Sequence, residues 1–319
     1  MMRRALITGI GGQDGSYLAE YLLSLGYEVY GVELPDISLP NLDQIIDKIV
    51  LYRGSMIHID WLRHVVESTV PDECYHLAAS SFVSYLFEDE SQILNNNIES
   101  THNILALLKE QINPCRIFFA GTSEMFGSAE ESPQNEKTPF RPSSVYGISK
   151  VTCHNIIQYY RRQHGVFSCT GICYNHESPR RGFIFVTRKI TSTVAKIKLG
   201  LEKKITLGNL DALRDWGYAP DYVRAMWLML QKDFPDDYVI ASGEIHSVRE
   251  FVEVAFDCVG LDYRKFVEID SRFFREAEII PLKGDTKKAL ELLDWHQTKT
   301  FKEIISEMVD NDLKLFNKL

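Results

Sequence analysis

Tyr146 and Lys150 lie four residues apart in the run Tyr146-Gly147-Ile148-Ser149-Lys150, a spacing that puts both side chains on one face of a helix. An ammonium held near a phenol favours the phenolate and can also hydrogen-bond a ribose. A free phenol with a pKa near ~10 is too weak a base at neutral pH. Such a pair alone is common on surface helices, so its neighbours decide its weight. Thr122-Ser123-Glu124 close a predicted strand upstream of it, and parallel sheets gather their chemistry at the C-terminal ends of strands.

A second cluster, near the start of the chain, is built for phosphate. Gly9-Ile10-Gly11-Gly12-Gln13-Asp14-Gly15 follows the first apolar strand and opens the first helix. Glycines at 9, 12 and 15 allow a tight turn, close approach of a pyrophosphate and close helix–strand packing, and the helix start supplies unpaired N–H donors. Glu33 ends the second predicted strand, where a carboxylate can accept from both ribose hydroxyls of NAD and would repel the extra phosphate of NADP. Asp36 is its rival, and no arginine occurs from Leu34 to Leu42 to cradle a 2′-phosphate. NAD is therefore expected as cofactor, with NADP the lesser alternative.

These residues need a scaffold, and the hydropathy pattern predicts one. Ala5–Thr8, Glu28–Glu33, Lys48–Tyr52, Cys74–Leu77, Arg116–Ala120 and Ser168–Ile172 read as short apolar strands. Helical periodicity fills Ser16–Leu25, Trp61–Ser68, Gln92–Glu110 and Ser144–His164 between them. That alternation predicts an α/β fold, a Rossmann-type doubly wound parallel sheet covered on both faces. Beyond about residue 175, polar glycine-bearing loops (Asn175–Phe183 and Leu207–Asp221) alternate with helices at Val186–Leu199, Tyr222–Gln231, Val248–Val259 and Thr300–Leu315. The expected organisation is a mainly dinucleotide-binding part over 1–174 and a smaller, interleaved substrate-binding part over 175–319, with some return of chain to the first.

The bulk properties agree with a soluble enzyme. A chain of 319 residues, 45% hydrophobic and 25% charged, is ample for a core and far from a disordered composition. With 44 acidic against 35 basic residues the formal charge is -9, which disfavours nucleic acid as a main partner. No secretion signal and no apolar run of the ~18 residues a span needs is visible, so a cytosolic protein with no membrane partner is expected. The six cysteines are scattered without metal-ligand spacing and read as free buried thiols; no metal is expected.

Together the stretches Leu6–Glu20, Thr122–Gly127, Tyr146–Lys150, Asn175–Gly182 (NHESPRRG), Val186–Ile190 and Gly208–Tyr222 make the chain similar to the extended short-chain dehydrogenases/reductases. Within them it resembles the GDP-mannose 4,6-dehydratase branch, over most of its length. The glycine fingerprint and the Tyr…Lys pair mark only the superfamily. Asn175–Gly182 with Arg214-Asp215-Trp216-Gly217-Tyr218 is narrower. The resemblance implies a lyase acting through an internal redox cycle. Tyr146 would take the 4-hydroxyl proton while hydride leaves carbon 4 for the nicotinamide, and the ketone then acidifies the hydrogen on carbon 5. Glu124 would remove that hydrogen and protonate the departing 6-hydroxyl, and the hydride would return to carbon 6. Thr122 would hydrogen-bond the carbon-4 oxygen. The cofactor would be held by Gly9, Gly12, Gln13, Asp14, Gly15, Glu33, Leu77, Ala78, Ala79, Tyr146 and Lys150. The GDP-sugar would be met by Ser80, Ser123, Asn175, Val186, Arg188 or Lys189, Gly208, Arg214, Arg275 and Glu278.

The chain departs from the branch near those sites. Glu33-Leu34-Pro35-Asp36 stands where a basic run associated with NADP and with a tetramer is usual, and Gly54-Ser55 where Gly-Asp is usual. Ser80 and Phe82 replace a Gln and a His, Ile184 an asparagine, and Glu276 a proline. Two other readings therefore stay open: an NAD-dependent epimerase, dehydrogenase or reductase acting on another GDP-sugar such as a GDP-heptose, and a catalytically idle nucleotide-sugar-binding scaffold. Extended members pair the helices corresponding to Gln92–Glu110 and Ser144–His164 with their twofold mates. Apolar residues beyond one face of each (Ile93, Ile104, Leu105, Leu107, Leu108; Ile156, Ile157, Tyr159, Tyr160) lead to an expected homodimer.

Overall fold

The computed structural model describes residues 2–80, 89–273 and 281–318. The strands are β1 (Arg4–Thr8), β2 (Glu28–Glu33), β3 (Ile49–Arg53), β4 (Glu73–His76), β5 (Arg116–Thr122), β6 (Ser168–Cys173) and β7 (Asn175–Glu177). They continue with β8 (Ile205–Leu207), β9 (Leu213–Arg214), β10 (Trp216–Tyr218), β11 (Asp237–Ile240), β12 (His246–Ser247) and β13 (Val267–Ile269). The helices are α1 (Gln13–Ser24), α2 (Ile59–Thr69), α3 (Glu90–Lys109), α4 (Val145–His164), α5 (Val186–Lys198), α6 (Ala219–Leu230), α7 (Val248–Asp257), α8 (Lys287–Leu293) and α9 (Phe301–Phe316).

Among the described residues the main sheet has seven strands in the order β11-β6-β5-β4-β1-β2-β3, all paired parallel. Its central strands are buried on both faces, as parallel strands covered by helices must be, and carry Glu73, His76, Ser168 and Thr170 among their buried residues. One face carries a core of Leu18, Leu22, Tyr75, Phe118, Met226 and Met229 under α1 and α6. The other packs Leu62, Val66, Ile104, Leu108, Phe119 and Ile157 under α2, α3 and α4. A separate core gathers α5, α7 and α9 around Trp216, Phe251, Phe256 and Met308.

The six strands and four helices expected in the first half all form, with boundaries shifted by up to three residues. Helix α1 begins at Gln13 rather than Ser16, because the phosphate loop itself winds into the first turn. Helix α6 begins at Ala219 rather than Tyr222, since Pro220 sits in the first turn where its missing N–H costs nothing. Three features were not expected. The expected return of chain to the first part takes the form of an unforeseen strand, β11, at the edge of the main sheet, beside the expected helix α6 on its face. The segments read as loops contain β7, β9 and β10, and α8 forms. Cys258 is exposed, whereas the other five cysteines are buried. The apolar residues taken as extra faces on α3 and α4 are mostly inside: Ile93, Ile104, Leu105, Leu107, Leu108, Ile157 and Tyr160 are buried. On α4, Ile148 and Tyr159 remain exposed. No helix among the described residues is long and apolar enough to cross a membrane.

Helix α1 meets β1 at Gly15, where a Cβ would stand 2.4 Å from the Gly9 carbonyl oxygen and 2.6 Å from Ile10 Cα. Backbone cannot yield there, so Gly15→Ala is expected to lower unfolding free energy by about 1–3 kcal/mol in urea titration. Gly182→Ala, whose new methyl would meet nothing nearer than 3.4 Å, should stay within about 0.5 kcal/mol of the parent. Equal effects at the two positions would remove the packing argument.

Candidate active site

The C-terminal ends of the strands open into one continuous cavity of about 1410 Å³. At its floor Gly9 takes φ +70, and a Cβ there would lie 3.0 Å from the Ala78 backbone. The Thr8 hydroxyl accepts from the Leu77 and Ala78 amides, both at 3.1 Å, and so pins the end of β4 against the end of β1. Gly12 occupies the N-cap of α1 with no side chain capping it, which leaves first-turn N–H groups for an anion. Gly9, Gly12, Gln13, Asp14, Gly15, Leu77, Ala78 and Ala79 all line the cavity, as does Glu33. The Glu33 carboxylate accepts from Gly11 N at 3.1 Å and Leu34 N at 3.0 Å, so two of its roughly four lone-pair positions are used. Arg53, at the end of β3, donates to the carbonyls of Leu34, Pro35 and Ile37 at 2.9, 3.4 and 2.7 Å. These glycines, the uncapped helix start and the strand-end carboxylate fit a dinucleotide.

Thr122, Glu124, Tyr146 and Lys150 share one wall. Thr122 caps a short turn at the end of β5 and accepts from Glu124 N at 3.3 Å. Ser144 caps α4 by accepting from Gly147 N at 3.0 Å. A Cβ on Gly147 would lie 2.6 Å from the Glu124 carbonyl oxygen, so this glycine lets the first turn of α4 bring Tyr146 against Glu124. The Tyr146 phenol is buried and hydrogen-bonded with Thr122. Burial raises its pKa, the Glu124 charge raises it further, and the Thr122 bond and the Arg181 charge oppose them without prevailing. Lys150 does not bond the phenol: its Nζ donates to Ala120 O at 2.8 Å and stands 5.8 Å from the Tyr146 ring centre.

The cavity is also lined by Ser80, Asn175, Val186, Lys189, Gly208 and Arg214. Ser80 N donates to Asn97 Oδ1 at 3.0 Å. Ser123 is buried and does not reach the wall. The choice between Arg188 and Lys189 is resolved by geometry. Lys189 lines the cavity, while Arg188 turns away into a buried pair with Asp312 at 2.6 Å. Arg275 and Glu278, with Glu276 and Phe82, lie outside the described residues. Ser55 and Ile184 both line the cavity.

The family model for GDP-mannose 4,6 dehydratase matches residues 6–308. The chain belongs to the GDP-mannose 4,6-dehydratase family. It is 44% identical over 325 residues to GDP-mannose 4,6 dehydratase 1 of Arabidopsis thaliana, covering 98% of this chain and 90% of that one. To the Homo sapiens GDP-mannose 4,6 dehydratase it is 41% identical over 344 residues, covering 98% and 91%. Among solved structures, dTDP-glucose 4,6-dehydratase from Bacillus anthracis, crystallised with NAD, superposes with a TM-score of 0.86 at 21% identity, covering 98% and 97%. UDP-glucose 4-epimerase of Thermotoga maritima gives a TM-score of 0.87 at 22% identity, covering 98% and 99%. These two likenesses establish the shared fold.

Several wall residues escaped the sequence reading although they stand in motifs it singled out. His176 Nε2 and Asp14 Oδ2 are 2.8 Å apart. Burial works against both charges, but the mutual attraction and hydrogen bond win, holding Asp14 below and His176 above their ordinary values. Gln13 donates to His176 O at 3.0 Å and accepts from Ser178 Oγ at 2.8 Å. The phosphate loop is thus tied to β7. Glu177, buried, accepts from Thr187 and faces Arg181, whose guanidinium lies 3.7 Å from the Phe185 ring centre. The NHESPRRG run was legible as a motif; the direction of each side chain was not.

Burial pushes the Lys150 ammonium down to about 8, the neighbouring thiols Cys153 and Cys173 opposing the shift. A base with a folded-state pKa below 10.5 carries its charge at a cost, here on the order of 3 kcal/mol. That cost is complete below about pH 8 and fades as pH rises toward 10.5. Lys150→Met, with no charge to bury, should therefore compare most favourably with the parent below about pH 8. Its relative unfolding free energy should decline between about pH 8 and about pH 10. A difference independent of pH would show that Lys150 is not held against its charge.

Proposed function

We propose that the protein is a nucleotide-sugar 4,6-dehydratase that converts GDP-mannose to GDP-4-keto-6-deoxymannose with a bound NAD. The observation that carries this reading is the Glu124 carboxylate beside the buried Tyr146 phenol on one wall of the cavity. An epimerase or reductase needs the phenol and the lysine but has no comparable use for that carboxylate. NAD, when bound, supplies a hydride acceptor for carbon 4 and the donor for carbon 6. The protein's own residues manage the protons. Tyr146 Oη, as the phenolate, receives the proton of the 4-hydroxyl, with Thr122 Oγ1 holding the oxygen in place. Glu124 takes the proton from carbon 5 and gives one to the leaving 6-hydroxyl, one group serving as base and then acid. The diphosphate and nucleoside fall to Asn175, Lys189 and Arg214, the last a guanidinium suited to two phosphate oxygens at once.

Purified protein given GDP-mannose should yield a 4-keto-6-deoxy product, and in D2O that product should carry deuterium at carbon 5. Glu124→Gln should bind GDP-mannose with unchanged affinity while losing roughly 10²–10⁴-fold in turnover and all exchange at carbon 5. Normal dehydration by this variant would remove Glu124 from its role. A redox product that keeps its 6-hydroxyl would favour the epimerase or reductase reading, and no conversion of any GDP-sugar the scaffold.

The choice of NAD over NADP is supported by Glu33 on the cavity wall and by Arg53, whose Nη1 is engaged by carbonyls of the neighbouring loop. A twofold homodimer through α3 and α4 is supported by Ile148 and Tyr159, which remain exposed along α4. Titration should give NAD the tighter binding by about tenfold or more, and light scattering about twice the chain mass. Equal or tighter NADP binding would overturn the first; a monomer, or a tetramer that survives dilution, the second.

A further inference from the structure

Between Arg214 and Trp216, both on the cavity wall, stands a residue that never reaches it. Asp215 is wholly buried. One of its carboxylate oxygens accepts from Ser242 N at 2.7 Å and Ser242 Oγ at 2.6 Å, and the other from Gly243 N at 3.0 Å and Gly284 N at 3.1 Å. Four donors fill the four acceptor positions of an ionised carboxylate. The nest is shaped for this approach: a Cβ on Gly284 would lie 2.2 Å from the Ala241 side chain.

The donors come from two distant segments. Ser242 and Gly243 follow β11, the outer strand of the main sheet, and Gly284 lies on the stretch before α8. The strands on either side of Asp215 are short. β9 is held to β12 by a two-residue register that sets Arg214 opposite His246, and β10 to β7 by a three-residue register that sets Trp216 opposite Asn175. Pairings this short do not fix a long side chain by themselves. The carboxylate bolts the junction between them to the end of the main sheet.

We propose that Asp215 is a positioning residue for nucleotide binding, acting through Arg214. The proposal rests on the reading of Arg214 as a ligand of the diphosphate. A guanidinium that must meet two oxygens at once tolerates little displacement, so loosening the junction weakens nucleotide binding while leaving the reacting groups on β5 and α4 in place. Asp215→Asn keeps the size of the side chain but turns an NH2 group toward backbone N–H donors, so that donors face donors.

The test is a double-mutant cycle on the full-length protein, with GDP as the titrated probe and GDP-mannose as substrate. Arg214→Ala and Asp215→Asn should each weaken GDP binding by about 10-fold or more, and the double variant should be no weaker than Arg214→Ala alone. For Asp215→Asn the loss should appear in KM, with kcat and NAD affinity within about threefold of the parent. Additive losses, or a fall in kcat with GDP affinity kept, would overturn the proposal. Unchanged GDP affinity in Arg214→Ala would overturn it by a different route, because the reading of Arg214 itself would then be wrong. Should Asp215→Asn not fold, Ser242→Ala removes a single donor. It should weaken GDP binding about threefold in the parent and not at all in Arg214→Ala; no change in the parent would count against the proposal.

Discussion

The near-contact between the ends of β1 and β4 is the constraint on which the site depends. Strand order reverses there, with β2 and β3 on one side of β1 and β4, β5, β6 and β11 on the other. Helix α1 leaves β1 over one face of the sheet and α3 follows β4 over the other, so the loops diverge and a crevice opens between them. The Thr8 hydroxyl, bridging to the Leu77 and Ala78 amides, keeps that crevice at fixed width. The glycine turn hangs from one of its edges and Leu77, Ala78 and Ala79 from the other.

The wall that carries Glu124, Tyr146 and Lys150 depends on a second balance, between burial and charge. Burying the Tyr146 phenol beside Glu124 disfavours the phenolate, and burying Lys150 disfavours its ammonium. Each group in the protein alone is thus held toward its neutral form rather than fixed as an ion pair, and Tyr146 can accept a proton only once it has been ionised. Lys150 sits between the Ala120 carbonyl and the Phe119 face, with its Nζ 4.8 Å from that ring centre. These contacts retain the cation where solvent does not.

Much of this was legible before the structure. The glycine turn, Glu33, the Tyr146–Lys150 pair and Glu124 occupy one cavity, because strand–helix alternation dictates which chain ends meet. What escaped the reading was set by contacts distant in sequence. β11 is four residues long and fully buried, too short for a periodic signal beside Pro235 and two aspartates. The short pairs β7–β10 and β9–β12 draw their stability from neighbours rather than from local propensity. The outward apolar faces assigned to α3 and α4 proved to be a matter of degree: both helices are wedged between the sheet and one another, so their apolar arc is wider than that of a surface helix, and only Ile148 and Tyr159 remain outside.

The adjacent pair Arg188 and Lys189 shows why spacing alone could not choose the cavity-facing cation. Neighbours on a helix point about 100° apart, and either could have faced the cavity. Asp312, wholly buried on α9, decides it by pairing with Arg188 and accepting from Thr191 at 2.8 Å. Burial raises that carboxyl to about 6, against the pull of Arg188 and the Thr191 bond, so the pair owes its place to geometry more than to net electrostatic gain. What it secures is rotation. With Arg188 committed to α9, α5 presents Val186 and Lys189 to the cavity, and Lys189 is steadied by its bond to Thr206 O at 2.7 Å. One wall of the cavity is thereby set by a helix more than a hundred residues further along the chain.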